Sequence, residues 1–224
     1  MQKISLLLCF CLFYLNIQAQ NSAENKLGTW YMYNGSHKLS DKFALKTMAH
    51  FRYYEITSEF QQEIYRLGIN YTFNPKTTLT IGTSYSTGDL EYDASSVGLY
   101  EYRFYEDLNL KSRWSKFSAN HRIRLEHRFI HKNINQDVTQ SWVRYNLNVG
   151  YSISKKWTAY VFNELFLNLD RGKRFAQNWT GAGFTHRLNK QIKLKMGYFQ
   201  IKSPTTVLKR LQFGVILSTN HTKK

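Results

Sequence analysis

Between Glu101 and Glu164 the chain sets charged residues at every second position, and that spacing is its first sign of chemistry. Glu101, Arg103 and Asp107 alternate with Tyr100, Tyr102, Phe104 and Leu108. Arg122, Arg124, Glu126 and Arg128 alternate with Ile123, Leu125 and Phe129, and Arg144 and Glu164 lie in similar alternations further on. Successive side chains of a strand point to opposite faces, so a period of two gathers these nine residues on one side of a sheet. Such a face can do three things. Its acids and bases can pair as a structural ladder. Its excess of arginine can draw anions into a constriction, because rings of one charge select ions. A histidine beside it could act as a general base toward a serine. The third use is the weakest. His121 and His127 fall on the apolar face, His50 stands far off in sequence, and no Ser–His–carboxylate spacing stands out. No His, Asp and Glu cluster has metal-ligand spacing and no glycine loop reads as a phosphate cradle, so no catalytic residue, metal or cofactor is expected.

The elements that must position this ladder begin with a hairpin, Leu99 to Ile130, turning at Ser112–Lys116. In an antiparallel pair the numbers of opposed residues have a constant sum. A sum of 229 opposes Asp107 to Arg122, Arg103 to Glu126 and Glu101 to Arg128, whereas 231 sets Arg103 against Arg128. Opposite charges across a pair are worth about 0.2–1 kcal/mol and like charges cost as much, so 229 is the expected register. Glu106 falls on the apolar face, where a bulge or local water is expected to relieve it.

The same alternation recurs along the chain, for instance over residues 43–53, 65–73, 79–86, 143–151, 157–168, 180–188, 192–198 and 210–217. The runs are near the 9–11 tilted residues that cross a bilayer, and longer than the usual 5–6 of globular strands. Short connections at 74–77, 112–116, 154–156 and 189–190 alternate with mostly longer ones at 88–98, 131–140, 170–176 and 202–206. The polar face carries about a dozen lysines and arginines, far more than the interior of a soluble barrel accepts. Trp157, Tyr151, Tyr71 and Tyr85 stand near strand ends, as interfacial girdles do. The pattern predicts an all-β, antiparallel transmembrane β-barrel of about 10–12 strands in a single domain, apolar toward lipid and charged toward the lumen. Eleven strands can be counted, although bacterial single-chain barrels normally have an even number. Leu27–Tyr33 is therefore expected either to lie outside the wall or to run up through the lumen.

The N-terminus explains how such a chain reaches its membrane. Lys3, the apolar run Ile4 to Ile17 and Ala19 describe a secretory signal over residues 1–19, cleaved after Ala19 or Gln20, with the barrel in 20–224. The run is too short to span as a helix. Both cysteines, Cys9 and Cys11, lie within it, so the exported chain holds no thiolate site. The full sequence of 224 residues has a net charge of +16, and removing Lys3 leaves +15. That balance favours anionic lipid, including lipopolysaccharide, or small anionic solutes as partners. Nucleic acid is not expected for an exported chain without a binding motif.

Trp30 with Tyr31, the strand His121-Arg122-x-Arg124-x-Glu126-x-Arg128-Phe129, and Asn163-Glu164-x-Phe166 followed by Gln177-Asn178 resemble the domain-of-unknown-function family 2490. Its members are treated as outer-membrane β-barrels of Gram-negative bacteria, and the resemblance covers essentially the whole mature chain. It implies the fold and an outer-membrane location. The family has no established activity, so it implies no mechanism. The expected function is that of a non-enzymatic barrel with a charged, largely filled lumen. A narrow anion-preferring pore and a lipid-modifying enzyme are the alternatives.

Overall fold

The computed structural model describes residues 22–89, 91–92, 98–132, 136–170 and 172–222; the expected signal segment and its cleavage site lie outside them. After a 3-10 turn at Ala23–Asn25 the chain forms eleven strands: β1 (Leu27–Lys38), β2 (Phe43–Tyr53), β3 (Phe60–Asn74), β4 (Thr77–Gly88), β5 (Leu99–Trp114), β6 (Phe117–Lys132), β7 (Gln136–Ser152), β8 (Trp157–Asn168), β9 (Phe175–Arg187), β10 (Ile192–Lys202) and β11 (Val207–Asn220). They close into one barrel in which every strand pairs antiparallel with its sequence neighbours and β1 pairs with β11 in parallel. The strand number is therefore odd, and Leu27–Tyr33 belongs to the wall. An odd count of up-and-down strands leaves the first and last running the same way. Twelve partnered residues, Leu27↔Lys209 through Lys38↔Asn220, then use the N–H and C=O groups that two open edges would expose.

Closure in this sense gives the barrel two different ends. At one, connections of two to four residues join β1–β2, β3–β4, β5–β6, β7–β8 and β9–β10, and β11 finishes there. At the other, β1 begins and connections of three to ten residues join the remaining pairs. These are called the turn end and the loop end below. The polar stretch 131–140, expected as a loop, is mostly strand, since β6 runs to Lys132 and β7 starts at Gln136.

The central hairpin adopts a register sum of 231, not 229: Trp114 opposes Phe117, Asp107 opposes Arg124, and Arg103 opposes Arg128. A two-residue turn, Ser115-Lys116, with Ser115 at φ 50°, sets this sum, because tight hairpins need a left-handed residue to match the strand twist. The like-charged pair is tolerated because Glu101 lies beside both arginines and binds both.

The apolar alternation faces outward. Ile81, Phe104 and Val161, at mid-strand, are more than half exposed, which is the surface of a membrane-spanning barrel. Rings gather at both rims. Phe43 with Tyr71 and Phe117 with Tyr151 stand at the turn end, and Tyr85 with Tyr102 at the loop end. Glu106 does face outward between Ile81 and Leu125, yet the ladder runs through it without a register shift, so the expected bulge is absent. It is half-buried among its neighbours and its Oε2 has no hydrogen-bond partner among the described residues.

Candidate functional site

Eight of the nine ladder residues are buried in the lumen and the ninth, Arg122, is half-buried; the barrel brings them into one network. Direct opposition on β5 and β6 lets Arg124 fork onto Asp107 through Nε and Nη2, the latter at 2.6 Å. Glu101 receives Arg103 Nη2 at 2.6 Å and both Nε and Nη2 of Arg128. On the neighbouring hairpin, Glu164 of β8 accepts from Arg122 at 2.6 Å and from Arg144 Nε at 2.8 Å. Glu126 is the hub. Its side chain is fully buried, and it accepts from Arg144 at 2.9 Å, Arg66 and Arg124 at 3.2 Å, and Arg103 at 3.4 Å. Arginine suits this role because its planar fork binds carboxylates bidentately and stacks on rings. Arg128 lies 3.8 Å from the centre of Trp142, Arg144 4.1 Å from Phe166, and Arg52 3.7 Å from Trp30.

Arg66, Trp142 and Trp179 were not singled out by the sequence, and Phe166 only as part of the family motif. Arg66 stands on the polar side of a recognisable alternation, but its carboxylate is sixty residues away across the lumen. Arg210 is likewise fully buried near the loop end, where one Nη donates to the Lys209 carbonyl and Nε and the other Nη have no hydrogen-bond partner among the described residues. Phe199 stands directly opposite it on β10 and forms a buried cluster with Trp30 and Ile201. Ion pairs and rings together line the loop-end half of the lumen.

Toward the turn end the lumen widens into a chamber of about 780 Å³. Nine lysines and arginines and two carboxylates, Asp107 and Glu164, line it. Both carboxylates are occupied by the network. Lys46, Lys111, Lys193 and Lys195 form no ion pair among the described residues; Lys46 donates to Ser36 at 2.8 Å, and Lys195 lies over the Tyr160 ring at 4.9 Å. Asn34, Asn70, Asn109, Asn120, Asn146 and Asn148 supply amides to the same wall. Two inward tyrosines lie flat where glycines leave room. The Tyr105 hydroxyl covers Gly68 and Gly82, and that of Tyr160 covers Gly183 and Gly197, where an added Cβ would come within 2.5–2.7 Å of it.

The histidines are dispersed. His121 contacts the Tyr145 hydroxyl at 2.8 Å and His127 the Ser141 hydroxyl at 3.3 Å, both on the outer face. His50 is in the lumen, 3.4 Å from the Asn34 amide oxygen. None of the three has a carboxylate partner among the described residues.

Solved structures that show similarity include the following two. One is a NanC porin structure in a rhombohedral crystal form, with 12% identity over 78% of this chain and 86% of that one and a TM-score of 0.49. The other is LpxR from Salmonella typhimurium, with 8% identity over 78% and 83% and a TM-score of 0.45. No curated protein matches the chain. The family model described as a protein of unknown function, DUF2490, matches residues 27–207, from the first strand to the start of the last. The chain belongs to the DUF2490 family.

Proposed function

We propose that this chain is an outer-membrane β-barrel that catalyses no reaction, and that its basic chamber holds small anionic solutes entering from the turn end. Short turns face the periplasm in such barrels, so the chamber opens to the periplasm and the plug lies toward the cell surface. One observation carries the reading: four lysines share a chamber whose two acids are already bound by arginine. Unneutralised like charges in a low-dielectric cavity focus the field and raise the local concentration of counter-ions. The plug is structural, and any path past it is narrow and anion-preferring, because a barrel of eight strands is already filled by side chains and open channels need about sixteen.

Reconstituted protein in a planar bilayer should pass little steady current. Replacing Lys193 and Lys195 together by glutamine should weaken retention of a multivalent anion such as inorganic pyrophosphate in equilibrium dialysis. A large, stable and weakly selective conductance would refute the plugged lumen. Undiminished pyrophosphate binding in the double variant would refute the chamber. His50, His121 and His127 have no carboxylate partner among the described residues, and the His131–Asp137 pair is exposed at the loop end, which supports the non-enzymatic reading. Turnover of lipid A or phospholipid by the purified protein would overturn it.

A further inference from the structure

Midway along β9 the outward side chains are short, Asn178, Thr180 and Ala182, between the bulkier faces of β8 and β10 and with Phe184 closing the row toward the turn end. The result is a groove of about 600 Å³ on the outer surface, walled by Leu147, Val161 and Tyr198. A polar cluster sits inside it. Asn163 Nδ2 donates to Asn178 Oδ1 at 2.9 Å and to the Thr180 hydroxyl at 2.7 Å, and Asn178 returns a bond to Asn163 Oδ1 at 3.2 Å. Gln200, directly across from Thr180, donates to the Tyr198 hydroxyl at 3.2 Å, which leaves its carbonyl oxygen as an acceptor. Amides and hydroxyls facing hydrocarbon are costly, and residues of this kind at membrane depth mark contacts with something other than alkane. Beyond the cluster, toward the loop end, Lys202 stands opposite Asn178 and Lys209 opposite Gln200. Both are exposed, and neither forms an ion pair among the described residues. Glu24 is occupied nearby, accepting from the Val207 amide at 2.8 Å.

From mid-barrel to the loop rim the surface therefore presents an apolar trough, then amide and hydroxyl groups, then two ammonium groups. We propose that this groove is a specific site for the phosphorylated glycolipid of the outer leaflet, lipopolysaccharide. One acyl chain fills the trough, its amide or hydroxyl linkage meets Asn178, Thr180 and Gln200, and a phosphate meets Lys202 and Lys209. The charge order fixes the lipid's direction, head toward the loop end. The assignment of that end to the outer leaflet rests on the orientation proposed above. The site is separate from the chamber, because the groove opens on the outside of the wall.

Native mass spectrometry of the full barrel in detergent, stripped of lipid and titrated with purified lipopolysaccharide or with phosphatidylglycerol, tests this. Lipopolysaccharide should bind with one saturable stoichiometry, and the pair Lys202→Gln and Lys209→Gln should weaken it about thirtyfold, given the attraction of two lysines for anionic lipid. Thr180→Leu, which fills the groove with apolar bulk, should also weaken it while leaving pyrophosphate binding in the chamber unchanged. Equal binding of phosphatidylglycerol, or unaltered lipopolysaccharide binding in both variants, would overturn the proposal. So would disulfide dimerisation of an Ala182→Cys variant, which would make a second copy the occupant. Impermeant maleimide on intact cells, with a single cysteine introduced as Asn25→Cys or Asn220→Cys, tests the orientation separately: if the loop end faced inward while lipopolysaccharide still bound, the orientation would fail and the site would stand.

Discussion

Replacing Glu126 by glutamine should cost the barrel about 3–5 kcal/mol, the usual penalty for stranding a buried charge. Four arginines donate to this one carboxylate, but they do not depend on it equally. Arg103 keeps Glu101, Arg124 keeps Asp107 and Arg144 keeps Glu164. Arg66, with its side chain 10% exposed, has no other carboxylate among the described residues. The loss is thus mainly one unpaired guanidinium in a low-dielectric interior, plus the weakened remainder of the hub. The double variant Glu126→Gln with Arg66→Met should then recover most of the stability. Charge exchange between Arg103 and Glu126, which a 229 register would favour, should recover nothing, because an arginine at 126 would meet Arg66, Arg124 and Arg144. Urea unfolding of the reconstituted barrel, followed by tryptophan fluorescence and heat-modified gel mobility, measures the unaltered protein, these variants and Arg66→Met alone. A loss below about 1 kcal/mol for Glu126→Gln, or a coupling to Arg66→Met indistinguishable from zero, would refute the hub.

Glu106→Leu should stabilise the barrel by about 1–2 kcal/mol in the same assay, since a carboxylate facing lipid costs less than the 2–4 of a lysine or arginine but is still unfavourable. Gly183→Ala should lower the unfolding midpoint, because the new Cβ would lie 2.5 Å from the Tyr160 hydroxyl and even nearer the Met196 carbonyl; a second change, Tyr160→Phe, should relieve only the hydroxyl part. Parallel closure places the two ends of the described chain on opposite sides of the membrane, so impermeant maleimide on intact cells should label Asn25→Cys and spare Asn220→Cys. At the loop end, Lys26 (2.7 Å), Ser58 and Tyr92 hold the Glu55 carboxyl down to about 2. With the folded value below the unfolded one, the tie is complete above about pH 4.5 and is lost as pH falls toward 2. Carbon-13 titration of Glu55 should show that midpoint, and a normal carboxylate midpoint would exclude the tie.

Much of this architecture is a local property of the chain. Period-two alternation is enforced by strand geometry wherever it occurs, so the strands, and which of their faces is charged, could be read from residues such as Arg122, Arg124 and Glu126 without any partner in view. The same holds for the turns at Asn74-Pro75-Lys76 and Asn189-Lys190. The hairpin register could not be read this way. Weighing only directly opposed pairs favours 229, whereas arginine reaches diagonally, one Glu101 serves Arg103 and Arg128 together, and a two-residue turn at Ser115-Lys116 decides the sum. Closure of β1 on β11 joins residues more than 180 positions apart and has no signature in either strand alone. The partners across the lumen are of the same kind: Arg66 was visible as an inward cation, but that Glu126 answers it depends on the curvature of the whole wall. The lysines of the chamber were equally visible as residues. Their freedom is tertiary, because it exists only once the arginines beside them in the lumen have taken the two carboxylates of the chamber.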